Sequence, residues 1–130
     1  MAMSIGAVSE RTGLGIHTLR LYERAGLLTT ELERDAAGRR IYTDDDLGWL
    51  VTCRLLRASG MPLAVIARFA ELVREGPGNE HERLELLREH ERRMVAKVAE
   101  ISAARELIGA KVAIYEEQVA RGTAAELWTR

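Results

Sequence analysis

SIGAVSERTGLGIHTLRLYERAGLL, residues 4–28, is the stretch from which the fold can be read. Its apolar residues Ile5, Val8, Leu14, Ile16, Leu19 and Leu27 do not alternate; their spacing suits two short helices rather than a strand. Gly13 is placed to close the first helix, because glycine takes positive φ without steric cost. Gly15 is a tolerable N-cap for the second, and Gly26 supplies its stop. The stretch reads as two helices joined by a tight turn.

Downstream, TTELERDAAGRRIY has no helical stripe, and Asp35-Ala36-Ala37-Gly38 forms a turn signal between two short extended arms, which predicts a small β-hairpin. Thr43 followed by three aspartates is a helix start: Thr43 caps, Asp46 lies three residues on, and the acidic run suits the positive end of the helix dipole. The spacing predicts a third helix to about Ser59 with Leu47, Leu50, Val51, Leu55 and Ala58 buried. A fourth helix follows Pro62, with Leu63, Ile66, Phe69, Ala70 and Val73 on one face. After Glu75-Gly76-Pro77-Gly78, Asn79 and Glu82 give a capping signal for a helix of roughly forty residues, about 60 Å long, which Gly122 ends. Its three-four ladder runs through Leu84, Leu87, Glu91, Met94, Val98, Ile101, Arg105, Ile108, Val112, Tyr115 and Val119, and nine of these eleven rungs are apolar or aromatic. So narrow a seam calls for the same helix from a second chain; the alternatives are a helix folded onto its own domain or a hairpin broken at Gly109. Glu91 and Arg105, fourteen positions apart, are spaced to pair across an antiparallel dimer.

The 130 residues hold one modest core, and 19 basic against 20 acidic residues give a net charge of -1. Phosphate binding therefore needs positive charge focused locally, with Arg20, Arg24, Arg39 and Arg40 as candidates. Cys53 has no partner in its own chain, and neither a signal peptide nor a membrane span is evident, so a cytoplasmic protein is expected. No paired carboxylates, Gly-rich phosphate loop or nucleophile–base set points to an enzyme.

The 4–28 stretch, followed by GRRIYTDDDL and RLLRASGMPL, resembles the MerR family of transcription regulators over about the first 75 residues. The match rests on Thr18-Leu19-Arg20-x-Tyr22-Glu23, the hairpin and the third-helix start in the right order. The resemblance implies an all-α fold with a small β-wing: a winged helix-turn-helix domain followed by a long antiparallel coiled-coil dimerisation helix. The expected divisions are residues 1–75 for DNA binding, 76–79 as linker, 80–120 for dimerisation and 121–130 as a short tail. Family members bind a palindromic operator inside a promoter with an overlong spacer, and they bend and untwist it for RNA polymerase. The implied partners are double-stranded DNA, a second copy of the chain and RNA polymerase, with no cofactor.

In that frame Gly15, Ile16, His17 and Thr18 point at base edges in the major groove. His17 stands where the family commonly has arginine, so a bidentate guanine contact gives way to a single hydrogen bond or water; the other reading is a solvated surface histidine. Arg20 and Tyr22 match positions near the DNA backbone, where they grip phosphates, unless Arg20 serves only as a structural pair with Glu23. Leu21 replaces the family's usual aromatic residue. Arg39, Arg40 and Tyr42 resemble the wing's phosphate and minor-groove contacts, or are solvated hairpin residues.

The effector is less legible. The cysteines of metal-sensing relatives are missing, and His81 and His90 lie too far apart on one helix to share a metal, so no metal site is expected. The layout is nearest the short aldehyde- and electrophile-responsive branch, which makes Cys53 the candidate sensor. That branch's cysteine aligns with Leu55, however, and the other reading of Cys53 is a buried small hydrophobe. The rival function is a coiled-coil interaction adaptor without DNA binding.

Overall fold

Local chemistry sets most element ends. Ser4 Oγ accepts a hydrogen bond from the Ala7 N–H at 3.2 Å to open α1, Ile5–Thr12. Gly13 closes it at φ 75°, and after two residues α2 begins, Ile16–Arg24, capped by Gly15 in extended conformation. In this computed structural model, which describes residues 1–123, 125 and 127, there follow β1 Glu33–Arg34, β2 Arg40–Ile41, α3 Asp44–Ala58, α4 Leu63–Glu75 and α5 Glu80–Arg121. The fold is mostly helical with one small antiparallel sheet, β1 paired to β2. Two compact units divide at His90: Met1–His90 and Glu91–Arg130.

The first unit's core joins Val8 of α1, Leu19 and Tyr22 of α2, Leu50 and Cys53 of α3, and Ile66 of α4, with Leu27, Tyr42 and Met61 from the connections. Polar links tie the helices together. Arg54 of α3 donates to the Thr12 carbonyl at 2.9 Å and lies so close over Gly13 that an added Cβ would stand 3.2 Å from its guanidinium. Trp49 Nε1 donates to the Leu27 carbonyl at 2.5 Å, and its ring stacks on Phe69 at 5.7 Å. Arg74 of α4 donates to the Gly26 and Leu28 carbonyls.

Thr43 and Asp46 form the capping box expected at the start of α3. The buried face of α3 differs from expectation. Asp46, Leu50 and Cys53 face inward, whereas Val51 and Leu55 are 40% and 66% exposed. Asp46, which caps Thr43 and accepts from Thr30 Oγ1 at 3.1 Å, lies on the inward side; of the other expected residues Leu47 is half-buried against the core and Ala58 is exposed. The start of α5 also differs: Asn79 does not cap with its side chain, whose Nδ2 donates to the Leu72 carbonyl at 2.9 Å. Glu80 instead accepts from the Gly78 N–H.

Within α5 no described residue from 91 to 117 is buried or half-buried. Val98, Ile101, Ile108 and Val119 of the ladder are each more than half exposed in the single chain. Among the described residues, no helix is long and apolar enough to cross a membrane.

Candidate nucleic-acid interface

An amphipathic α2 divides its residues cleanly. Leu19 and Tyr22, three apart, point into the core, while Gly15, Ile16, His17 and Arg20 are exposed and Thr18 is half-buried. Gly15 provides no side-chain cap, so the first N–H groups of α2 stay open to an incoming acceptor. Among the described residues no hydrogen bond or ion pair engages the Arg20 guanidinium, which leaves its fork available.

The hairpin is built by Asp35. Its carboxylate accepts from the Ala37 and Arg39 N–H groups, both at 2.9 Å, and from Arg39 Nε at 2.9 Å. The Arg39 N–H is the largest of the influences that hold Asp35 below the usual carboxylate range. Gly38, at φ 79°, lets its N–H reach the Asp35 carbonyl and reverse the chain. Arg39 remains 79% exposed on the tip despite its ion pair. The N-terminal segment extends the hairpin, since Met3 and Tyr42 exchange both backbone hydrogen bonds at 2.8 Å. Between that segment, α2 and the wing lies a cleft of about 440 Å³ lined by Arg20, Asp35, Arg39 and Arg40.

Three residues expected on the DNA surface lie elsewhere. Tyr22 is only 5% exposed and Tyr42 only 1%, because their rings complete the core. Burial raises both phenol pKa values, and the Tyr42 hydroxyl is buried without a partner among the described residues. Both rings belong to the core. Arg40 is turned inward: its Nε donates to Glu23 Oε2, and Arg34 Nη2 reaches Glu23 Oε1 at 3.1 Å. Glu23 therefore pairs with the wing and not with Arg20. From the sequence alone Glu23 enters only as a partner for Arg20, and Arg34 is passed over; their link follows from the hairpin register, which sets Arg34 opposite Arg40.

Cys53 is completely buried, and burial pushes its thiol up to about 12. The thiolate that an electrophile sensor needs is scarce at neutral pH in such a site. The aligned position Leu55 is exposed, so the accessible side of α3 is not the side that bears the sulfur. His90 is buried with Nε2 2.8 Å from Ser59 Oγ, which joins α5 to the end of α3, while His81 is exposed. Among the described residues no cluster of three His, Cys, Asp or Glu could hold a metal ion.

An exposed helix beside a cationic wing, both fixed to one core, defines a winged helix-turn-helix regulator of the DNA-binding class. Residues 3–72 match the family described as MerR HTH family regulatory protein. An HTH-type transcriptional regulator of Haemophilus influenzae is 34% identical over 123 residues, covering 95% of this chain and 90% of that protein. The HTH-type transcriptional regulator AdhR of Bacillus subtilis is 29% identical over 93 residues, 72% of this chain and 66% of its own. The crystal structure of HiNmlR, a MerR family regulator lacking the sensor domain, bound to promoter DNA, superposes with a TM-score of 0.87 at 34% identity, over 96% of this chain and 98% of that one. The chain belongs to the MerR family of HTH transcription regulators.

Proposed function

We propose that two copies of this chain pair through α5 and bind a two-fold promoter operator, distorting its spacer so that RNA polymerase engages both promoter elements. Residues 1–75 read DNA, 76–79 link and 80–120 dimerise; the tail expected over 121–130 lies partly outside the described residues. The observation that carries the reading is Arg20: an unpaired guanidinium on the exposed face of α2, across a cleft from the exposed Arg39 of the wing. Two cations so placed suit successive phosphates, which fixes register. Gly15, Ile16, His17 and Thr18 then meet base edges with the N-terminal half of α2. Support comes also from HiNmlR, whose structure with promoter DNA shares this fold. The seam of Leu84, Leu87, Met94, Val98, Ile101, Ile108, Val112, Tyr115 and Val119 closes against its copy. The protein acts by binding rather than catalysis, in the cytoplasm where promoters lie.

Fluorescence anisotropy on a two-fold promoter duplex and on a mixed-sequence duplex, across a salt series, tests this. Affinity should fall steeply with salt on both and be at least about a thousandfold higher for the operator. A chain that binds neither duplex at any salt is the coiled-coil adaptor instead.

A further inference from the structure

Arg34 and Arg40 are direct cross-strand partners in a sheet of two residues per strand. Like charges directly opposite destabilise a strand pair, and so short a hairpin has few contacts to offset that beyond the Asp35 turn and the Met3–Tyr42 bridge. Glu23, in the last turn of α2, lies between them: Oε1 accepts from Arg34 Nη2 at 3.1 Å and Oε2 from Arg40 Nε. The Glu23 and Arg40 side chains are 24% and 23% exposed, and Arg34 has a second anchor, Nη1 to the Gly38 carbonyl at 3.0 Å. One carboxylate thus neutralises the repulsion inside the wing and ties both strands to the recognition helix.

We propose that Glu23 is a positioning and specificity residue: it locks the wing to α2 and keeps Arg34 and Arg40 off DNA phosphates, so that only correctly spaced contacts are made. This rests on the DNA-binding reading above. With the lock in place, α2 and Arg39 address the duplex as one rigid body, and a sequence that fits one must fit both. Without the carboxylate, two arginines on an unmoored hairpin reach any phosphate, and sequence-independent attraction grows at the expense of discrimination.

The decisive variant is Glu23→Gln, which keeps shape and removes charge. In the DNA-free protein, amide exchange across residues 33–42 should accelerate at least about tenfold while α3 and α4 stay protected. On mixed-sequence duplex, affinity should rise and the slope of log K against log salt steepen by about 0.9 per protomer for each cation released. Operator affinity should not follow, so the specificity ratio drops at least about tenfold. Arg34→Gln in the Glu23→Gln background removes the cross-strand repulsion, and it should restore wing protection and much of the ratio. Unchanged wing exchange, or affinities for both duplexes falling in proportion, overturns the proposal. If Glu23→Gln does not fold by circular dichroism, Arg40→Gln tests the lock from the wing side. Its mixed-sequence salt slope should equal the wild type's, since that cation is not on a phosphate; a slope flatter by about 0.9 overturns the idea. A wild-type chain without operator preference would sink the function reading alone, because the exchange measurement needs no DNA.

Discussion

Arg20 and Arg40 carry the same charge, yet the fold gives them different work, since one has no ion-pair partner among the described residues and the other faces Glu23. Arg20→Ala should therefore weaken binding to every duplex and flatten the salt dependence by about 0.9 per protomer. His17→Ala should leave the slope alone and change preference at one half-site position, by about 1–3 kcal/mol if the imidazole reads a base. Anisotropy against single-position operator variants separates the two effects; a His17→Ala profile identical to wild type would leave His17 as a solvated side chain. Cys53 obeys a different physics. Its folded-state pKa of about 12 lies above the ordinary 9.0, so the buried neutral thiol stabilises the fold below pH 9. That contribution fades as pH climbs from 9 toward 12. At neutral pH, iodoacetamide or formaldehyde should modify Cys53 only after denaturation, as read by intact mass. Rapid modification of native protein would return it to the sensor role. Cys53→Ala should cost about 1 kcal/mol, the scale of losing one buried heavy atom.

At the scale of elements, helix ends were legible because caps are local chemistry. Gly13 closes α1 and the Thr43–Asp46 box opens α3 where residue type and spacing put them. Which face of α3 turns inward was not legible, because residues 47–51–55 and 46–50–53 are both regular helical ladders. The choice falls to contacts distant in sequence: Arg54 on the Thr12 carbonyl and Trp49 on the Leu27 carbonyl. Tyr22 and Tyr42 misled for a related reason, since a phenol offers both a ring for a core and a hydroxyl for a phosphate. Glu23's two partners depended on strand register, which no single residue announces. Thr43→Ala should cost about 0.5–2 kcal/mol in chemical denaturation, because it removes the side-chain cap that opens α3. The wing should respond to acid. Asp35 sits below its usual range, so the stability it lends the turn is present above the unfolded carboxylate pKa and is lost as pH falls through the depressed folded value. The Ala37 and Arg39 amide resonances should shift together on acidification. Asp35→Asn, which still offers an acceptor oxygen, should abolish that titration while the hairpin persists at neutral pH; a titration that survives would place the responsible group elsewhere.

For the whole molecule the open question is the direction in which two α5 helices run. Met94, Val98, Ile101, Ile108 and Val119 are 41–67% exposed in one chain, an apolar row that water disfavours and a second copy would cover. Hydrophobic contact alone does not choose between parallel and antiparallel pairing; the two charged rungs do. In a parallel pair Glu91 meets the partner's Glu91 and Arg105 the partner's Arg105, like against like. In the antiparallel register that sets Val98 against its own copy, Glu91 meets the partner's Arg105 twice, once on each side of the two-fold axis. Leu84 then lies opposite the partner's Val112 and Leu87 beside the partner's Ile108, so the apolar rungs agree with the charges. Glu91→Arg alone, or Arg105→Glu alone, creates two like-charged contacts and should raise the dimer dissociation constant at least about tenfold. The double exchange restores opposite charges and should return the constant to near wild type in sedimentation equilibrium. Operator binding should follow, lost with either single change and regained with both, because one protomer contacts only one half-site. If the double variant proves as weak as the singles, charge does not set the direction and this register is wrong.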